Sequence, residues 1–142
     1  MIGTVLFALT LGAAEKKVQM KDLPAVVQQA IREQTKGVEI KGLSKEKEKG
    51  QMQYEVETMV NGRSRDLTLD DKGTVVEVEQ EVGIDSLPAA ARAAIERQTA
   101  GGKILKVETV TRGAAVTYEA SYTKGGRTRE LAVRADGSAV KD

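Results

Sequence analysis

LPAVVQQAIREQTKG, residues 23–37, is followed 64 positions later (87 − 23) by a near copy, LPAAARAAIERQTAG, residues 87–101. Leu23, Val27, Ala30 and Ile31 recur at helical spacing, as do Leu87, Ala91, Ala94 and Ile95, so each copy is an amphipathic helix with a narrow apolar stripe. Asp22 and Ser86 stand where an N-cap acceptor belongs, with Pro24 and Pro88 in the first turn. Gly37 and Gly101 supply the left-handed residue that favours a helix end.

The same offset keeps the rest of the chain in register. Tyr54-Glu55 meets Tyr118-Glu119, Gly62-Arg63 meets Gly126-Arg127, and Leu67, Gly73 and Val76 meet Leu131, Gly137 and Val140. A fixed offset held over a whole unit indicates duplication of one supersecondary module.

Beyond each helix the chain takes on strand character. In KILKVETVT, residues 103–111, Leu105, Val107, Thr109 and Thr111 alternate with their neighbours. Asn61-Gly62 and Gly125-Gly126 are two-residue hairpin signals, because both central residues of such a turn take positive φ. These turns set a register. Val60 opposes Arg63, Thr58 opposes Arg65, Val56 opposes Leu67, and Tyr54 opposes Leu69. In the copy Lys124 opposes Arg127, Tyr122 opposes Arg129, Ala120 opposes Leu131, and Tyr118 opposes Val133. Those pairs share one face, apolar at the base of the hairpin and basic at its tip. A last strand comes after Asp70–Gly73 or Asp136-Gly137, with Val76 and Val78, or Val140, inward. The expected fold class is therefore α+β: two tandem repeats, each one helix packed on a four-stranded antiparallel sheet.

Composition narrows the chemistry. The chain has 142 residues, 40% apolar and 30% charged, with a net charge of +1. Such a balance suits a globular protein and offers no strong field toward nucleic acid or an anionic membrane. Phe7, Tyr54, Tyr118 and Tyr122 are its aromatics, too few for base-stacking platforms. With no Cys and no His, thiol nucleophiles, disulfides, thiolate zinc sites and His-based triads are excluded. The expectation is a non-enzyme with no cofactor, no metal and no nucleic-acid partner.

No charged residue occurs from Ile2 to Ala14. That apolar run is shorter than the about 20 residues a bilayer span needs. Its length and the small residues Gly12-Ala13-Ala14 fit a secretory signal peptide over residues 1–14, cleaved before Glu15. The expectation is export to the periplasm or medium of a bacterial envelope, with no stable membrane span after cleavage.

The succession Leu23-Pro24, Gly37, Tyr54-x-Val56, Asn61-Gly62, Asp70-x-x-Gly73, and its copy Leu87-Pro88, Gly101, Tyr118-x-Ala120, Gly125-Gly126, Asp136-Gly137, resembles the PepSY and PepSY-like envelope domains. The repeats then span 21–82 and 85–142. Tandem copies of a helix plus a four-stranded sheet also resemble the architecture of the β-lactamase inhibitor protein. The resemblance implies an exported, non-catalytic module that inhibits or modulates a peptidase or other hydrolase through protein–protein contact. It transfers no functional residue.

The residues themselves nominate the hairpin tips. Arg63 and Arg65, with Arg127 and Arg129, can grip carboxylates or phosphates, and Tyr122 opposite Arg129 can add an amphipathic contact. The plainer reading is that charged tips keep strand edges soluble. The row Glu55, Glu57, Asp66 reads as a solvated sheet face, neutralised by Lys45, Lys47 and Lys49. An enzyme using Glu57 and Asp66 is the remote alternative. A periplasmic small-ligand or signal sensor, with its ligand between helix and sheet, is the nearer one. Asp70–Gly73 reads as a turn, not a calcium loop.

Overall fold

The computed structural model describes residues 13–141. The segment read as a signal peptide, residues 1–14, lies outside the described residues except for its last two. The chain divides into two compact units, here an N-terminal unit up to Gln80 and a C-terminal unit from Glu81.

The N-terminal unit contains β1 (Ala13–Lys17), α1 (Ala25–Gln34), β2 (Glu39–Glu48), β3 (Gln51–Val60), β4 (Arg63–Asp70) and β5 (Val75–Glu81, whose last residue crosses the boundary). The C-terminal unit contains α2 (Ala89–Gln98), β6 (Lys103–Arg112), β7 (Ala115–Lys124) and β8 (Arg127–Val133). The strands form one eight-stranded antiparallel sheet in chain order. This corrects the expected fold class of two repeats, each a helix on its own four-stranded sheet. Among the described residues the architecture is mostly β, with two α-helices. Two local events break the expected symmetry. Residues 13–17 add a strand beside β2, whereas the return after Asp136-Gly137 makes only an isolated bridge, Val133 with Ala139.

The helices start later than expected. Leu23 precedes Pro24 and is extended, with φ −89° and ψ 154°, as a residue before proline prefers. Pro24 and Pro88 therefore occupy the N-cap positions. Asp22 and Ser86 instead close one-turn 3-10 helices, Met20–Asp22 and Ile84–Ser86. Gln19 N–H donates to Asp22 Oδ2 at 3.3 Å, and Ser86 Oγ donates to the Gly83 carbonyl at 2.7 Å. At the other end, the buried hydroxyls of Thr35 and Thr99 donate to the carbonyls of Ile31 and Ile95, at 2.7 and 2.9 Å. Gly37 and Gly101 come next, with φ of 72° and 80°.

In the N-terminal unit, Leu23, Val27 and Ile31 pack on Tyr54, Val56, Leu67 and Leu69. In the C-terminal unit, Leu87, Ala91 and Ile95 pack with Tyr118, Ala120, Leu131 and Val133. These are the same positions shifted by 64. Each fully buried Ile, Leu or Val contributes about 1.5–3 kcal/mol, so each layer stabilises its own unit. Alanine at 91 and 120, where Val27 and Val56 stand in the first unit, makes the second layer the thinner one.

Bulges alter the expected alternation. The register slips between Ile40 and Gly42, between Ile104 and Lys106, and between Thr68 and Leu69. One extra residue reverses side-chain parity beyond it. Leu105, which shares the alternation of Val107 in the sequence, is 51% exposed, and Ile104 packs on the core instead. Likewise Val75, not Val76, joins Val78 against the first core.

Candidate functional site

The hairpin register is the one the turns dictate. Asn61 and Gly62 have φ of 51° and 78°, and Gly125 and Gly126 have φ of 59° and 71°. Val60 pairs with Arg63 and Thr58 with Arg65, while Lys124 pairs with Arg127 and Tyr122 with Arg129. Period-2 alternation thus puts each arginine pair on the helix-bearing face of its strand, beyond the apolar base. Arg63, Arg127 and Arg129 are exposed, whereas Arg65 and Tyr122 are half-buried. The structure brings Arg127, Arg129, Lys124 and Tyr122 together on one hairpin, and Arg63 with Arg65 on another in the other unit. None of the four arginines enters an ion pair among the described residues.

The two tips differ in their flanks. Arg65 has Thr58 on one side, whose hydroxyl donates to the Arg65 carbonyl, and Gln80 of β5 on the other. Arg129 has Tyr122 on one side, and among the described residues no strand pairs with it on the other.

A second surface lies on the face away from α1. Across the N-terminal unit one row runs Lys17, Ser44, Glu55, Thr68, Glu77, and the next runs Gly42, Glu57, Asp66, Glu79. Glu46 shares this face beside Gln53. Lys45 and Lys47 do not neutralise these rows, because they stand opposite Tyr54 and Met52 on the helix side. The slip after Ile40 sends the glutamates of KEKEK, not its lysines, to the acidic face. Nor is the row fully solvated: Glu55, Glu57 and Asp66 are half-buried and Ser44 is buried. Burial, reinforced by Glu15, Asp66, Glu57 and Glu46, pushes the Glu55 carboxyl up to about 7. Burial and then Glu48, Glu15 and Glu77 raise Glu46 in the same direction.

The corresponding face of the C-terminal unit sets cations near its buried carboxylates, although Glu108 Oε1 and Glu119 Oε1 lack a well-aligned hydrogen bond. Glu108 and Glu119 stand opposite one another and are 3% and 5% exposed. Lys106 Nζ lies 2.6 Å from Glu108 Oε1, and an Arg112 guanidinium nitrogen 3.9 Å from Glu119 Oε1. Buried carboxylates require such partners. Among the described residues, no group of three or more acidic side chains is placed to hold a metal ion. No helix there is long and apolar enough to cross a membrane.

The chain matches no protein-family model and no curated protein. Its fold is similar to solved structures. A protein from Bacteroides eggerthii proposed to be periplasmic matches with a TM-score of 0.68 at 16% identity, over 84% of this chain and 86% of that one. A DUF2874 family protein from Bacteroides ovatus matches with a TM-score of 0.64 at 16% identity, over 84% and 85%. A BLIP-like protein from Bacteroides fragilis matches with a TM-score of 0.61 at 16% identity, over 84% of each chain. The architecture is therefore that of the BLIP-like and DUF2874 structures. At this identity the likeness is one of fold.

Proposed function

We propose that this chain is an exported, non-catalytic binding module that acts on a protein partner, in the concrete form of an inhibitor or modulator of an envelope peptidase or other hydrolase. The observation that carries this reading is the state of the tip arginines. Arg63, Arg127 and Arg129 stand exposed, outside the packed layers and without ion pairs among the described residues. Guanidinium groups in that state can take carboxylates of a partner in bidentate fashion. Tyr122 beside Arg129 supplies the amphipathic body that protein contacts favour.

The small-ligand sensor is the less favoured reading. It needs space between helix and sheet, where Val27, Ile31, Val56, Leu67 and Leu69 are fully buried against one another in the N-terminal unit. Periplasmic residence is part of the proposal. It draws on the apolar run at residues 2–14 and on the eggerthii neighbour. PepSY-like kinship is also part of it and rests on the sequence motifs alone.

The test is affinity capture from a bacterial envelope fraction, with the chain beginning at Glu15 as bait. Parallel baits carry Arg63→Ala with Arg65→Ala, or Arg127→Ala with Arg129→Ala. One hydrolase recovered stoichiometrically by the parent, lost from a variant and slowed by the parent in its own assay is the expected result. Equal recovery by both variants removes the arginines from the site, and recovery of no protein favours the sensor.

A further inference from the structure

We propose that the outer edge of β8 is a seat for strand addition: an extended acidic segment of a partner protein pairs with Arg127–Leu131, placing carboxylates opposite Arg127 and Arg129. The inference rests on the binding-module reading above and gives it a geometry.

Three observations converge on this edge. First, the backbone there is open among the described residues. β8 pairs with β7 from Lys124–Arg127 to Tyr118–Val133. On its other side the chain touches it only near its end, through the Val133–Ala139 bridge and the Val140 N–H donating to the Ala132 carbonyl at 3.0 Å. Second, the first unit shows what the place accommodates. Its equivalent strand, β4, is paired along that side by β5, with Leu67 opposite Val78 and Arg65 opposite Gln80. Third, Arg127, Thr128, Arg129 and Glu130 are all exposed in succession, and the two arginines have no ion pair among the described residues.

An added strand gains affinity from main-chain hydrogen bonds and specificity from alternate side chains. Alternation puts Arg127, Arg129 and Leu131 on one face and Thr128 and Glu130 on the other. The matching antiparallel segment therefore reads apolar, neutral, acidic, neutral, acidic. Charge argues against a second copy of this chain as the occupant. Two β8 strands paired antiparallel about a two-fold axis keep every residue on its own face. In the central registers Arg129 then meets Arg129 or Arg127, or Glu130 meets Glu130. Like charges directly opposite destabilise a ladder.

The experiment uses the full 142-residue chain and a synthetic peptide, Ser-Thr-Val-Thr-Glu-Thr-Glu-Ser, with blocked ends. A control peptide has the same side chains with alternate backbone amides N-methylated. A second has Lys for both Glu. Binding is followed by amide chemical shifts and hydrogen exchange. Expected are shifts and slowed exchange confined to residues 127–131 and their β7 neighbours, and about tenfold weaker binding on N-methylation or with Lys. The Arg127→Glu, Arg129→Glu variant should prefer the Lys peptide, which separates charge recognition from any loss of folding. Equal binding of the N-methylated peptide overturns strand addition while leaving the arginines as an anion contact. No binding of the acidic peptide, or shifts centred on another strand, also overturns it.

Discussion

Glu57 lays its carboxylate over Gly42: a Cβ at that glycine would stand 2.9 Å from Glu57 Oε2. The two residues face each other across β2 and β3, just past the slip at Ile40. The obstructing group is the far end of a flexible side chain, and it can move aside. Gly42→Ala should therefore fold normally, with a stability change within about 1 kcal/mol in urea denaturation. A loss much larger than that would mean the carboxylate is held there rather than resting.

Gly73 presents the opposite case. Its φ is +79°, and a Cβ would meet the Val26 carbonyl oxygen at 2.9 Å. Gly137 has φ +83° and meets the Ala90 carbonyl at 2.7 Å. Backbone cannot step away as a side chain does, and positive φ is already unfavourable for alanine. Gly73→Ala and Gly137→Ala should each cost about 1–3 kcal/mol. Unfolding midpoints equal to that of Gly42→Ala would refute this.

Stability should depend on pH through Glu55. Its folded pKa, about 7, lies above the ordinary carboxylate value of 4.5. Between those values the folded chain keeps a proton that the unfolded chain releases. The resulting stabilisation is fully present below 4.5 and is lost as pH rises through about 7. Glu55→Gln should thus be more stable than the parent near pH 8, by on the order of 1–2 kcal/mol once partial exposure is allowed for. The difference should shrink toward pH 4.5, and a gap independent of pH would contradict the assignment.

Lys106 is expected to matter through its partner. Lys106→Met leaves the Glu108 carboxylate buried without the ammonium now 2.6 Å away. The loss should be about 3 kcal/mol in chemical denaturation. Adding Glu108→Leu should restore most of it, because an apolar pair avoids burying charge. Additive losses in the double variant would show that the pair contributes little.

In the cores, Ile31→Ala and Ile95→Ala each remove a side chain that is fully buried. Each should cost about 2–5 kcal/mol in thermal or urea unfolding. A cost below 1 kcal/mol at either position would mean that the layer closes over the gap.

Several features are legible in the residues alone. The helices emerge from apolar spacing in the repeated phrase, and the hairpin register from Asn61-Gly62 and Gly125-Gly126. Those are local: a turn that demands two positive φ values pins every pair behind it, down to Tyr54 with Leu69. The positions of the four arginines and Tyr122 come with that register. The acidic face is only half legible. Glu57 opposite Asp66 is implied by the hairpin, but the contribution of Glu46 is not.

Which residues form helix and hairpin follows from spacing and turn chemistry, both of which act within a few residues. How the described strands are shared out, five in one unit and three in the other, depends on long-range packing, because pairing of residues 13–17 with β2 joins segments distant in the chain. The same long-range packing sets parity beyond each bulge. One inserted residue at Lys41, Leu105 or Val76 leaves no mark in composition, yet it reverses which side chains meet the core.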